Sequence, residues 1–209
     1  QQLVVEVARL HLEVLALASA QTLTAPPLAG AAATVGSGTL TLRFGTVVEA
    51  GFTDDPTHQP VSVTVPSGAT LAEVAAAINA ANSGVSAYIA NAADDARLVL
   101  KGAVGATSGF ILEAVETPGE EGLAALAWNP ASGDPARLLG QAADARFKLD
   151  GLEMASPSNT VIQPAPGFNL TLKATNGGAP VQLTFADPAE AITGFMQDFT
   201  SALNEIATT

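Results

Sequence analysis

Alternation of apolar and polar residues runs through most of this chain. Leu10, Leu12 and Val14 alternate with His11 and Glu13, the period of two by which a strand sends successive side chains to opposite faces. β-branched residues at Val4, Val5, Val7 and Val14 favour the same conformation. Extended segments are therefore predicted near 3–8 and 10–17, against a competing helix from Leu10. Ala25-Pro26-Pro27 ends the region, and residues 30–34 read as a connector of small residues. Strands are predicted at Thr39–Phe44, Val61–Val65, Val85–Ala90, Arg97–Lys101 and Phe110–Val115. Residues 51–60, GFTDDPTHQP, are so rich in turn formers that a loop is expected, as it is for Gly102 to Gly109 and for most of 116–141.

The period changes at Thr70. With Glu73 three residues on, Thr70 forms a capping-box signature ahead of LAEVAAAINAAN. Leu71, Val74 and Ile78 then fall on one helical face. Asn82-Ser83-Gly84 closes the helix, with Gly84 expected at the position just past the C-cap. A second helix is predicted from Asp187 as N-cap, with Pro188 at N1 and Glu190 at N3. Its apolar stripe, Ile192, Phe195, Met196, Phe199, Leu203 and Ile206, has the spacing of a coiled-coil seam.

Between the helices lies Ala142 to Lys173. Ala145, Phe147 and Leu149 alternate with Arg146, Lys148 and Asp150. Asp150-Gly151 supplies a turn with positive φ. A polar patch, Ser156 to Asn159, precedes Thr160-Val161-Ile162. Pro164, Pro166 and Gly167 break the chain before the alternating Phe168 to Lys173. Asn176-Gly177-Gly178 reads as a hairpin turn with Val181 to Phe185 as its return strand. Strands around one well-marked helix give an α+β, mainly β, fold class.

The 209 residues suffice for one large or two small domains. Hydrophobic content of 48% with only 5% aromatics implies cores of small and branched aliphatics. Eight basic residues stand against 20 acidic ones, for a net charge of -12. That balance repels phosphate, so no nucleic-acid partner is expected. No apolar run reaches the roughly 18–20 residues of a membrane span, and no membrane partner is expected. The chain opens on Gln1-Gln2 without a basic leader, and Glu6, Arg9, His11 and Glu13 interrupt its first apolar stretch. It is therefore expected to lack a signal peptide and to be a fragment of a longer protein.

Candidate chemistry is sparse. The chain has no cysteine, which removes disulfides, thiolate metal sites and Cys nucleophiles together. Its two histidines, His11 and His58, are far apart in sequence. Asp54-Asp55 with His58 comes nearest to a ligand cluster, yet D-D-P-T-H lacks the alternate-ligand spacing of a calcium loop, so a plain surface loop is expected; Asp94-Asp95 reads as a turn. Gly36-Ser37-Gly38 and Gly102 to Gly109 carry no phosphate-loop lysine, and no G-x-S-x-G occurs. Trp128 is expected to anchor packing. No catalytic, cofactor-binding or metal-binding residue is assigned, no cofactor is expected, and the protein is read as a non-enzyme.

The order of the motifs is more specific than any one of them. Leu15 to Leu23 (LALASAQTL), Gly36 to Leu42, Ala69 to Ala81 followed by Gly84-Val85-Ser86-Ala87, and Arg97 to Leu100 resemble successive segments of the bacterial flagellar filament capping protein family, also called hook-associated protein 2. Ala143-Asp144-Ala145, Phe147, Asp150-Gly151, Ser158 to Ile162, Gly167 and Leu170 to Lys173 are similar to that family's DAxFxxDG, SNTI and GxTLxL segments. Phe199 to Asn204 resembles its FVxxYNxL helix, with Ala202-Leu203 departing from the aromatic pattern.

The resemblance implies a nested architecture. Residues 1–35 and 140–187 would form a middle domain, 36–139 an outer domain inserted into it with its helix near 70–82, and 188–209 the start of a helical domain. The N-terminal strands would then pair non-locally with those of 142–185. It also implies a non-catalytic structural protein of the flagellum. Such a protein caps the filament tip as a ring of self-associated subunits, promotes folding and polymerisation of flagellin, and contacts flagellin and hook-filament junction proteins. It would lie outside the cell at the flagellum tip, exported without a cleaved signal peptide. The rivals are another axial component, such as a flagellin or junction protein, and an adhesin or glycan-binding module. The latter fits poorly with one tryptophan and one tyrosine, Tyr88.

Overall fold

The computed structural model describes residues 9–49, 51–92 and 95–184. The strand expected near 3–8, Asp94, Phe185 and the helix expected over 188–209 lie outside them.

The chain begins in one sheet, leaves it for a long excursion, and returns. The first strand, β1 (Arg9–Ala16), pairs antiparallel with β10 (Ala145–Leu149) and, on its other edge, with β14 (Val181–Thr184). A further strand, β11 (Leu152–Ser156), follows β10 through the Asp150-Gly151 turn, where both residues have positive φ, and completes the order β11-β10-β1-β14. In register, Val14 faces Phe147 and Leu12 faces Leu149, so the apolar sets of strands distant in sequence meet on one face. Val14, Ala18, Ala145, Phe147, Leu170 and Leu172 close a small core there. Of the last two, Leu170 lies in β13 (Phe168–Thr171), the hairpin partner of β12 (Thr160–Ala165), and Leu172 follows directly after it.

The non-local pairing of β1 is thus present, but the expected hairpin at Asn176-Gly177-Gly178 is not. β14 returns to β1, while β13 pairs with β12. Asn176 makes the difference. Its side chain and backbone grip Leu12 and Val14 of β1, so the turn hands the chain sideways to another strand.

The excursion builds a larger core. β2 (Ala20–Thr24), which local alternation did not reveal, lies in a sheet of order β6-β7-β2-β9 with β6 (Ser86–Ala92), β7 (Asp95–Val104) and β9 (Leu138–Gly140). In the second sheet, β3 (Gly38–Val48) is central. On one edge it pairs with β5 (Val61–Val65) and then β4 (Gly51–Asp54); on the other it pairs with β8 (Gly109–Glu116). The loop expected across 51–60 therefore gives up its first four residues to a strand, because Val48–Gly51 closes a hairpin in which Val47 pairs with Phe52.

The helix α1 (Leu71–Ala80) packs against β5 and β6 with Leu71, Val74, Ala75 and Ile78 buried. Thr70 and Glu73 form the complete capping box. The C-cap is Ala81, and the left-handed residue after it is Asn82 (φ 48). Gly84, expected in that role, has positive φ two residues later. Asparagine can fill the position because its short polar side chain tolerates the left-handed region. Phe110, Leu40, Leu42, Leu98 and Leu123 are fully or almost fully buried between these layers, each worth about 1.5–3 kcal/mol of transfer free energy.

Candidate functional site

The residues that could have formed a reactive cluster go separate ways. The Asp54 carboxylate receives the guanidinium of Arg43, with Nε donating at 3.1 Å, and the same guanidinium reaches Glu113 at 2.8 Å. Arg43 thus bridges β4 and β8 across β3, with Phe52 5.8 Å from its charge centre. Asp55 folds back on its own loop and accepts from the Thr57 hydroxyl (2.7 Å) and backbone N–H (2.9 Å). These bonds hold its carboxyl below the usual carboxylate range. His58 stacks on Phe44, ring centroids 3.7 Å apart and ring planes nearly parallel. It borders a small recess formed with Ser83, Gly84, Val85, Ala103 and Ser108. His11 is exposed on β1 beside Asp150, Nδ1 to Oδ1 3.5 Å. The same carboxylate oxygen accepts the His11 backbone N–H at 2.7 Å.

Among the described residues no group of three or more His, Asp or Glu side chains is placed to hold a metal ion, and no helix is long and apolar enough to cross a membrane. Trp128 is buried, its Nε1 donating to the Asp134 carbonyl at 3.0 Å, while Tyr88 is half exposed. At Gly36, an added Cβ would sit 2.5 Å from the Glu120 carbonyl oxygen. The Gly36-Ser37-Gly38 loop therefore owes its glycines to close packing, Gly36 against residues 120–121 and Gly38 against the backbone of Val115 and Glu116.

What the structure builds with care is a set of backbone-reading side chains. Gln21 is fully buried, donating Nε2 to the Phe110 carbonyl (2.7 Å) and accepting the Phe110 N–H on Oε1 (2.9 Å). Leu112, two residues along β8, exchanges the equivalent pair of bonds with the Trp128 backbone. A side-chain amide thus continues where a neighbouring strand stops. Asn79 does the same for Ala87, at 2.7 and 2.8 Å, and Asn159 for Ala18, at 2.7 and 3.0 Å. Arg137 spreads its guanidinium over the carbonyls of Thr24, Leu126 and Ala127, each at 2.8 Å, and burial lowers its pKa. Local patterning had singled out none of these roles. An inward-facing Gln or Asn on an apolar face was the available signal.

The two crossings between the cores run side by side. Ser19 and Ala143 exchange backbone bonds at 2.9 and 3.1 Å, and the Ser19 hydroxyl donates to the Gln141 carbonyl. Asp144 accepts the Ala106 N–H at 2.7 Å. The family-like motifs, AQTL, AIN, DAxF and SNT, therefore supply Gln21, Asn79, Asp144 and Asn159 to the joints of the fold.

Comparison with known proteins gives these joints a context. Residues 39–104 match the model described as flagellin hook IN motif, and 142–209 the model described as flagellar hook-associated protein 2 C-terminus. The A-type flagellar hook-associated protein 2 of Pseudomonas aeruginosa is 30% identical over 93% of this chain. A crystal structure of FliD (HAP2) from Pseudomonas aeruginosa PAO1 superposes with a TM-score of 0.77 at 27% identity, covering 98% of this chain and 90% of that one. The chain belongs to the flagellar hook-associated protein 2 family. It spans 42% of the length of that curated relative. The D2-D3 domains of the Escherichia coli flagellar cap protein FliD share the fold, with a TM-score of 0.73 at 21% identity over 88% of this chain and 91% of that one. This member of the hook-associated protein 2 family thus carries a mainly β, α+β fold.

Proposed function

We propose that this chain is the outer, β-rich part of a structural protein that caps the distal tip of the bacterial flagellar filament and promotes folding and polymerisation of flagellin. The observation that carries the reading is the agreement of family and fold. Two family models match residues 39–104 and 142–209, and the match to the FliD structure of Pseudomonas aeruginosa covers 98% of the chain. The side chains support a structural role, since the polar groups with the best-defined geometry are spent on backbone joints.

The two cores correspond on this reading to two domains, one inserted in the other. The bridge between Ser19 and Ala143 supports a boundary near residues 17–20 and 140–144, with β2 counted in the insert. The helix expected over 188–209 would lead into a helical domain. Flagellin subunits and hook-filament junction proteins are the proposed partners, with self-association into a ring in the whole protein, outside the cell at the flagellum tip.

Deletion of the full gene tests this. The expected outcome is flagellin released into the medium with short or absent filaments, restored by the intact gene. Normal filaments in the deletion strain would overturn the proposal. Binding of the purified chain to mucin or a glycan array, with filaments intact, would favour an adhesin.

A further inference from the structure

Asn176 is followed by glycine in an exposed turn, and its side chain is the hook that holds the turn to β1. Oδ1 accepts the Val14 N–H, Nδ2 donates to the Leu12 carbonyl at 3.2 Å, and the Asn176 N–H donates to the Val14 carbonyl at 3.1 Å. Glu13, between those two residues, accepts the Gly178 N–H at 2.8 Å. Beyond the turn, Val181–Thr184 pair with Arg9–Leu12. Gly177 has open space around it, with no atom within 4 Å of where a Cβ would lie.

We propose that Asn176 is a site of spontaneous deamidation, gated by its own grip on β1, and that the product releases β14. The Gly177 backbone nitrogen bonds to the Asn176 side-chain carbonyl carbon. The bond from that carbon to Nδ2 breaks, and the side-chain nitrogen leaves as ammonia with the proton lost from the Gly177 amide. Water then adds across one of the two C–N bonds of the resulting succinimide. One opening gives aspartate; the other gives isoaspartate, whose backbone runs through the former side chain. The net change is exchange of NH3 for H2O, with water as the only co-reactant.

Glycine suits the attack because no side chain obstructs its nitrogen. The folded protein opposes it, because both ends of the carboxamide must let go of β1 before the carbon can turn toward Gly177. Once formed, the product cannot restore the hook. A carboxylate is acceptor-only, so the Leu12 carbonyl loses its side-chain donor, and the new charge lies next to the Glu13 carboxylate. Isoaspartate additionally lengthens the main chain just before β14, disturbing the register of Val181 on Leu12.

The test follows the intact chain at neutral pH, with and without denaturing urea, by peptide mass mapping and isoaspartate detection. Asn82, followed by serine, serves as the internal reference. Residue 176 is expected to convert about tenfold or more faster in urea than in the native protein, since native opening limits the rate. Gly177→Ala should suppress conversion in urea while leaving the fold intact. Asn176→Asp, mimicking one product, should accelerate amide hydrogen exchange in 181–184 with Trp128 fluorescence unchanged. Equal rates with and without urea would overturn the gating, absence of conversion in urea would overturn the site, and unchanged exchange in Asn176→Asp would overturn the release of β14.

Discussion

Replacing Gln21 probes the idea that side-chain amides stand in for missing strands. In Gln21→Leu the volume is nearly conserved, but the Phe110 N–H and C=O lose their partners in a site with no solvent access at Gln21. Each orphaned buried group costs about 1–3 kcal/mol. The greater apolar burial of leucine returns about 1–2 kcal/mol. The net loss should be about 3 kcal/mol, which at a urea slope near 2 kcal/mol/M lowers the midpoint by about 1.5 M. Trp128, the only tryptophan and a member of the same core, reports the transition by fluorescence. Gln21→Glu separates hydrogen bonding from packing. Burial raises the folded pKa of a carboxyl above its unfolded value of about 4.3. Below that value the acid is neutral in both states and its O–H can donate to the Phe110 carbonyl. The penalty should grow as pH rises from the unfolded pKa to the folded one and stay constant above it. A Gln21→Leu variant within about 0.5 kcal/mol of the parent, or a Gln21→Glu variant with no such pH dependence, would refute the reasoning.

Other replacements extend the test. At Gly133, an added Cβ would lie 2.4 Å from Trp128 Cδ1; Gly133→Ala should displace the indole, break its bond to Asp134, red-shift its emission and cost about 1–3 kcal/mol, read by urea melts. Arg137→Lys removes the planar fork that serves three carbonyls and should cost about 1–3 kcal/mol by the same assay. The Glu116 carboxyl is held below its ordinary value of 4.5 by the N–H groups of Ala124 and Gly122. Its contribution is therefore fully present above pH 4.5 and lost as pH falls through the lowered folded value, so Glu116→Gln should flatten the acid limb of a Tm-versus-pH profile.

Local periodicity revealed what local physics decides. TLTLRF, VSVTV and ARFKL alternate because one face of each is buried, and Thr70 with Glu73 marks the helix start because a capping box needs only four residues. Where the deciding contact is remote, the pattern fell silent. AQTLT puts a polar Gln21 inside, which alternation discounts, although its amide answers a backbone 89 positions away. GFTD carries turn formers, yet β3 recruits it as a strand. Asn176-Gly177-Gly178 is turn chemistry in any context, but whether the chain doubles back or moves to another strand depends on Asn176 finding Leu12 and Val14, at separations of 164 and 162 positions. Asp54 and His58 are taken by Arg43 and Phe44, residues that the D-D-P-T-H string does not contain, while Asp55 is held by Thr57 within it.

The paired crossings at Ser19 and Ala143 set an order for folding. An unfolded chain would have to close a loop between partners such as Ala18 and Asn159, 141 positions apart, before the small core gained anything from the contact. Once the larger core has formed, its two ends emerge side by side at Ser19 and Gln141, and that distance has already been closed. The small sheet should then assemble as a late, nearly local event on a prebuilt base. Stopped-flow refolding would show it as recovery of β1 and β14 exchange protection after the Trp128 signal is complete.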